Sequence, residues 1–346
     1  MPSVTIDAGV LAVPAEGNAR EDAFQYVERI LDWSKLLGEP WIAIYMSERA
    51  SEALFEDGLY PLRDQLRELF VRHGIVEYDV NTVAKVVERL LAITPSFETY
   101  FRLRDILTEN LETLPDIIRL VTYSGLQSDL ARCVVLIAIL RAHCTLPLGG
   151  HALVIPKTPD QVISVKAQIH DVEHGRDDLP AFAPPPEYFE GEVLVCDNFK
   201  GLVECLDEAT ILTGATDGTG ISLAIRIALF KHLMANGEEP DWSYEFLPTI
   251  GRRFRETCQS CCRDQAAALP VRILRSIIET ITKHNLADVH AMRLGSGGNA
   301  PQRLRGRDKA QRRDIDREFH LHYWDCEDGT IELASVVYHN DFSIPE

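Results

Sequence analysis

Apolar positions spaced three and four apart dominate the first part of the chain. Phe24, Val27, Ile30, Leu31 and Trp33 follow Asn18, a residue suited to cap a helix, and together predict an amphipathic helix. The same spacing predicts helices over residues 61–71, 80–93, 97–111 and 117–143, punctuated by Gly58, Gly74, Pro95 and Pro115. Residues 41–46 form a short apolar run that predicts one strand among them. Texture changes at Pro147-Leu-Gly-Gly150. Beyond it, residues 152–155 and 162–169 predict strands, the second alternating Ile163, Val165, Ala167 and Ile169 with polar positions. The proline-rich stretch 177–186 reads as a linker, and a strand at 192–196 and helices near 222–235 and 271–283 follow. These patterns predict an α+β chain. A mostly helical domain covers 1–146, and a mixed α/β domain covers 147–346 and ends in an antiparallel β-hairpin.

Composition adds constraints. The 346 residues are 46% apolar and 25% charged, enough apolar surface to exclude global disorder and a length suited to about two domains. The longest apolar run, residues 133–140, is far short of the ~20 residues that span a bilayer. The first residues lack the basic region of a signal peptide, so a soluble, cytoplasmic protein without membrane contact is expected.

The net charge of −18 repels phosphate backbones, so nucleic-acid binding needs a local basic patch. Residues 303–317 supply one, with Arg303, Arg305, Arg307, Lys309, Arg312, Arg313 and Arg317 against Asp308, Asp314 and Asp316. Such a run reads either as a nucleic-acid contact or as a solvated arm docking on an acidic partner surface.

Candidate chemistry is sparse. Cys258-Gln-Ser-Cys261-Cys262 has no second cysteine pair at zinc-site spacing, and a helix would place these thiols in a core; no metal and no cofactor are expected. Thr213-Gly-Ala-Thr-Asp-Gly-Thr-Gly220 resembles the glycine turn of short-chain dehydrogenases, where a strand leads to a phosphate-binding helix N-terminus. No Tyr is followed by Lys four residues later, so that family's catalytic pair is missing and a dinucleotide-binding enzyme is a distant reading. The C-terminal residues say more. Residues 319–325 and 330–339 flank a turn at Asp328-Gly329 and predict the hairpin. Alternation puts His320, His322 and Trp324 on one face, shared with Ile331, Leu333, Ser335, Val337 and His339. Imidazoles titrate near neutrality and guanidinium groups pair with phosphate, a combination suited to RNA.

Pro301-Gln-Arg-Leu-Arg-Gly306, Arg312-Arg-Asp-Ile315, His320-Leu-His-Tyr323, Asp328-Gly-Thr-Ile-Glu-Leu333, Val336 and His339-Asn-Asp-Phe-Ser-Ile-Pro345 together resemble the ending of RelE/ParE/HigB-type toxins. The resemblance covers about 45 of 346 residues and marks a small toxin-like unit at about 260–346. It implies metal-independent RNA cleavage by basic, histidine and tyrosine side chains, with roles passing by position to Arg305, Arg313, His320, His322, Tyr323 and His339. Here His320 stands where the family usually has an arginine before the tyrosine strand, and His339 stands for the arginine that ends the next strand. The expected function is therefore an RNA-acting module of a prokaryotic stress or defence protein. Its expected catalytic residues are His320, His322, Tyr323 and His339, with RNA or ribosome contacts at Arg303, Arg305, Arg307, Arg312, Arg313 and Arg317. The alternative is a non-catalytic interaction subunit whose acidic body docks protein partners.

Overall fold

The structure is a computed structural model that describes all residues except 16–18, 159, 180–184, 244–246, 264–267, 296–299 and 346. The expected cap Asn18 lies outside the described residues. Two units divide the chain, Met1–Leu206 and Asp207–Glu346, each of mixed helix and strand around a six-stranded mixed sheet.

In unit 1 the chain forms β1 (Ser3–Ile6), α1 (Arg20–Lys35), β2 (Ala43–Met46), α2 (Ala50–Glu56), α3 (Arg63–His73), α4 (Val80–Ile93) and α5 (Phe97–Phe101). It continues through β3 (Leu103–Leu114), α6 (Ser124–His143), β4 (His151–Val154), β5 (Val162–His174), β6 (Glu187–Cys196) and α7 (Phe199–Cys205). The strand order is β2-β1-β4-β6-β5-β3, parallel through the first four and antiparallel at β5 and β3. All four residues of β1 and of β4 are buried, as expected of central parallel strands covered on both faces. Helix α6 is apolar all round, and its residues 133–140 have no exposed surface.

The first 146 residues are thus not simply helical: β1, β2 and β3 belong to them. The helix expected over 97–111 ends at Phe101, where Arg102 turns left-handed (φ 56°), and the chain continues as β3. Leu103, Ile106, Leu107, Leu111 and Leu114 have helical spacing, but Leu107 and Leu114 are exposed, so in the irregular strand the spacing marks no single buried face. The division into units falls at 206/207 rather than at 146/147, since β4 lies between β1 and β6 in one sheet.

Unit 2 comprises α8 (Glu208–Gly214), α9 (Gly218–Ala235), β7 (Thr249–Ile250), α10 (Phe254–Arg263), α11 (Ala268–Ile281), β8 (Val289–Ala291), β9 (Leu304–Arg305), β10 (Asp308–Asp314), β11 (Phe319–Asp325) and β12 (Ile331–Tyr338). Its sheet runs β7-β12-β11-β10-β8, with β9 beside β10; β8, β10, β11 and β12 are mutually antiparallel, and β7 pairs parallel with β12. The glycine motif forms a corner between two helices rather than a strand-to-helix turn. Asp217 caps α9 through the Gly220 N–H (2.9 Å), and a Cβ on Gly220 would lie 2.9 Å from that of Ala215. Its glycine serves close packing. Cys258 and Cys261 are buried, and the Cys261 thiol donates to the Val336 carbonyl (3.5 Å). No helix among the described residues is long and apolar enough to cross a membrane.

Candidate functional site

The histidine face forms, but enclosed. In the β11–β12 pairing His320 lies opposite Val337 and His322 opposite Ser335, as alternation predicts. A bulge after His322 then moves Leu333 opposite Tyr323 and Glu332 opposite Trp324, so Leu333 leaves the predicted face. The ring of His320 lies 4.6 Å from His339 and 6.2 Å from His322. His320 and His322 have no exposed surface, whereas His339 is exposed. Burial, with Arg312 nearby, lowers the His320 pKa; burial takes that of His322 down to about 4, so His322 is neutral at physiological pH. The Nδ1 of His322 meets the Ser343 carbonyl at 2.9 Å, so Nδ1 carries the proton and Nε2 is left as an unpartnered acceptor. His320 Nε2 stands 3.1 Å from Asp314 Oδ1 without hydrogen-bond alignment. Tyr323 alternates to the other face, beside Arg313, and burial pushes its pKa up to about 12. It is therefore separated from the histidines with which the toxin resemblance groups it.

The basic residues divide into three kinds. Arg313 is fully buried and belongs to the core: it pairs with Glu279 (3.1 Å) and donates to the carbonyls of Glu279, His284 and Asn285. Arg305 is half-buried, held between Asp308 (3.1 Å) and Glu332 (2.6 Å) with its guanidinium 4.7 Å from the Trp324 ring centre. Arg307 and Arg317 are exposed, the first paired with Glu327. Arg303 and Arg312 are half-buried and contact Phe342, by a hydrogen bond to its carbonyl (3.3 Å) and by a guanidinium 5.6 Å from its ring centre.

A second cluster, in unit 1, is one the sequence reading passed over. Asp7 directly follows β1, Ser47 directly follows β2, and Asp129 and Arg132 lie one helical turn apart on α6. Arg132 pairs with Glu98 and donates to the Ser47 hydroxyl (3.1 Å), while that hydroxyl donates to Asp129 Oδ1 (2.6 Å). Glu98 also accepts from the Glu48 N–H (3.0 Å) and the Ser96 hydroxyl (2.9 Å). Arg132 and these donors compensate Glu98. Asp7 and Asp129 remain, each with one buried carboxylate oxygen, Oδ1 and Oδ2 respectively, that has no partner. Burial first, then the nearby Asp129 carboxylate, raises the Asp7 pKa to about 8; burial also raises that of Asp129. The signal in the sequence was available. Asp129 and Arg132 are charges directly before the longest apolar run of the chain, residues 133–140, a placement that calls for buried partners.

Comparison with protein-family models, with curated proteins and with solved structures finds no match to this chain. Its chemistry has to be read from its own geometry.

The position of the carboxylates is that of ligand sites in open α/β sheets. β1 lies between β2 and β4, so the carboxyl ends of the parallel strands meet at a switch point, where such sheets bind ligands. A cleft of about 650 Å³ opens there, lined by Gly9 and Tyr26 beyond β1, Pro156 and Lys157 beyond β4, Asp197 beyond β6, and Arg29. Asp7 joins β1 to the 3-10 turn Ala8–Val10, whose Gly9 and Val10 line the cleft. Asp7 itself is buried behind that turn, its Oδ2 accepting the Gly9 N–H (2.9 Å), and neither it nor Asp129 lines the cleft. No group of three or more His, Cys, Asp or Glu among the described residues is arranged to hold a metal ion. Two carboxylates suit Mg²⁺, which keeps several waters and takes its remaining ligands from substrate phosphates.

Proposed function

We propose that unit 1 hydrolyses phosphodiester bonds of RNA with a divalent cation held by Asp7 and Asp129, and that unit 2, by itself, contacts RNA strands. The observation that carries this reading is the pair of unpartnered, buried carboxylate oxygens, one on Asp7 at the carboxyl end of β1 and one on Asp129 of α6. Asp7 and Asp129 would hold the cation, which when bound would polarise a phosphoryl oxygen and lower the pKa of a bound water. The two units differ in charge. Unit 1 carries 18 Lys and Arg against 32 Asp and Glu, which attracts cations and repels a nucleic-acid strand. Unit 2 carries 17 against 21 and presents exposed Arg307, Lys309 and Arg317 near half-buried Arg303 and Arg312. The prokaryotic stress or defence setting rests on the toxin resemblance alone.

Asp129→Asn tests the reading, since the amide oxygen can still accept from Ser47. Hydrolysis of single-stranded RNA in Mg²⁺ or Mn²⁺ is expected to fall about a hundredfold or more, the rate equivalent of several kcal/mol of lost charge stabilisation. Hydrolysis that survives both this change and EDTA sinks the cation-dependent mechanism.

A second reading places metal-independent cleavage at His320, His322, Tyr323 and His339. The approach of three imidazoles, of which His320 and His322 have unpartnered buried ring nitrogens, favours it. EDTA separates the two, because only this second activity persists without divalent ions. Absence of hydrolysis with any divalent ion, and of RNA retention at low salt, leaves the interaction subunit.

A further inference from the structure

After β12 the chain turns at residues 338–341 and runs back along β11 over the histidine face. The carbonyl of Ser343 accepts from His322 (2.9 Å) and that of Pro345 from the Trp324 indole N–H (2.9 Å). The Phe342 carbonyl accepts from Arg303 (3.3 Å), and the Phe342 ring lies by the Arg312 guanidinium, 5.6 Å from its centre. Ile344 is the segment's buried apolar anchor, packed with Met292, Ala310, Trp324 and Ala334. Asp341, Phe342 and Ser343 are exposed.

Oxygen acceptors along a backbone, with a flat ring against an arginine, are also the features that a single RNA strand offers a protein. The fit of cover to face is incomplete. His320 Nδ1 and Nε2, His322 Nε2 and Ser335 Oγ are buried without partners; His322 lies against the segment, and His320 stands next to it in the strand, beside Asp314. With the segment lifted, His322 is free to take a second proton at Nε2, and a phosphodiester then brings two non-bridging acceptor oxygens where the Ser343 carbonyl brings one.

We propose that residues 340–345 are an autoinhibitory strap that occupies the RNA path over β10 and β11 as a nucleotide mimic, so that the Arg312, His320 and His322 face binds a phosphodiester only when the strap lifts. This rests on the reading of unit 2 as an RNA-contacting module. The histidines are enclosed because the strap is closed, and the face it covers is the binding surface.

The experiment opens the strap in the full chain with Ile344→Asp and Phe342→Ala together. Two readouts are followed: acylation of His320 and His322 by diethyl pyrocarbonate, mapped by mass spectrometry, and binding of a labelled single-stranded RNA at fixed low salt. Acylation is expected to speed up, and RNA affinity to rise about tenfold, as follows when a closed state populated roughly nine to one is removed. Arg312→Glu in the opened protein should abolish the gain. If the double variant fails to fold, Phe342→Ala alone, which keeps the Ile344 anchor, should give a smaller gain in the same direction. Reactive histidines with unchanged or weaker RNA binding overturn the proposal, as do histidines that stay unreactive in the folded variant. RNA binding absent from every protein, the wild type included, overturns the RNA reading itself and the strap with it.

Discussion

Replacing Asp7 by Asn should make the protein more stable at neutral and alkaline pH, although it removes a residue of the proposed site. In the folded chain the Asp7 carboxyl is fully buried and titrates near pH 8, against an ordinary value of 3.8. Its folded pKa is raised, so below pH 4 both states are protonated and nothing is lost. Between pH 4 and 8 the unfolded chain gives up the proton and the folded chain keeps it, and stability falls as pH rises. The slope is about 1.4 kcal/mol per pH unit, which sums to a cost on the order of 5 kcal/mol above pH 8. Asn carries no charge and its amide oxygen can still accept the Gly9 N–H, so the variant escapes this slope. Denaturant titrations of both proteins should coincide near pH 4 and separate steadily towards pH 8. Parallel curves across that range would show that Asp7 does not carry the buried proton. A divalent cation should recover part of the loss in the wild type alone, by ~2.7 kcal/mol at a hundred times its Kd. Equal stabilisation of wild type and variant by Mg²⁺ would place the cation elsewhere.

Arg313→Ala should destabilise unit 2 by ~3–5 kcal/mol, the usual cost of removing one partner of a buried ion pair. The guanidinium has no exposed surface, neutralises Glu279 and satisfies three backbone carbonyls where the chain leaves α11. Its loss leaves those acceptors and a carboxylate in the interior, and melting followed by calorimetry should show a drop of roughly ten degrees or more. Position in the toxin-like segment implies the opposite outcome, with RNA affinity lost and stability kept. An unchanged melting temperature would therefore restore Arg313 to the strand-contacting set. Arg312, one residue earlier, lies on the other face of β10 beside Phe342. Its replacement should leave stability nearly intact, since half-exposed charges contribute little.

Local periodicity determined much of this protein. Helix α4 spans the 80–93 expected from spacing, because its buried face repeats at the helical period, and β2, β4 and α9 begin within a few residues of the places that their apolar runs predict. The pairing of His320 and His322 with Val337 and Ser335 also follows from alternation alone. What alternation does not contain is what covers a face. His320 and His322 could be read as open catalytic groups because nothing local records that residues 342–345 return over them. β1 and β3 were hidden for different reasons: β1 is short, buried on both faces and without alternation, while β3 carries apolar residues at helical spacing of which Leu107 and Leu114 are exposed in the folded chain. Asp7, Ser47, Glu98 and Asp129 are far apart in the chain and unremarkable one by one. They become a site only because parallel pairing brings the ends of β1 and β2 side by side and sets α6 against them. The energy of that site comes from burial, and burial is a property of the folded chain.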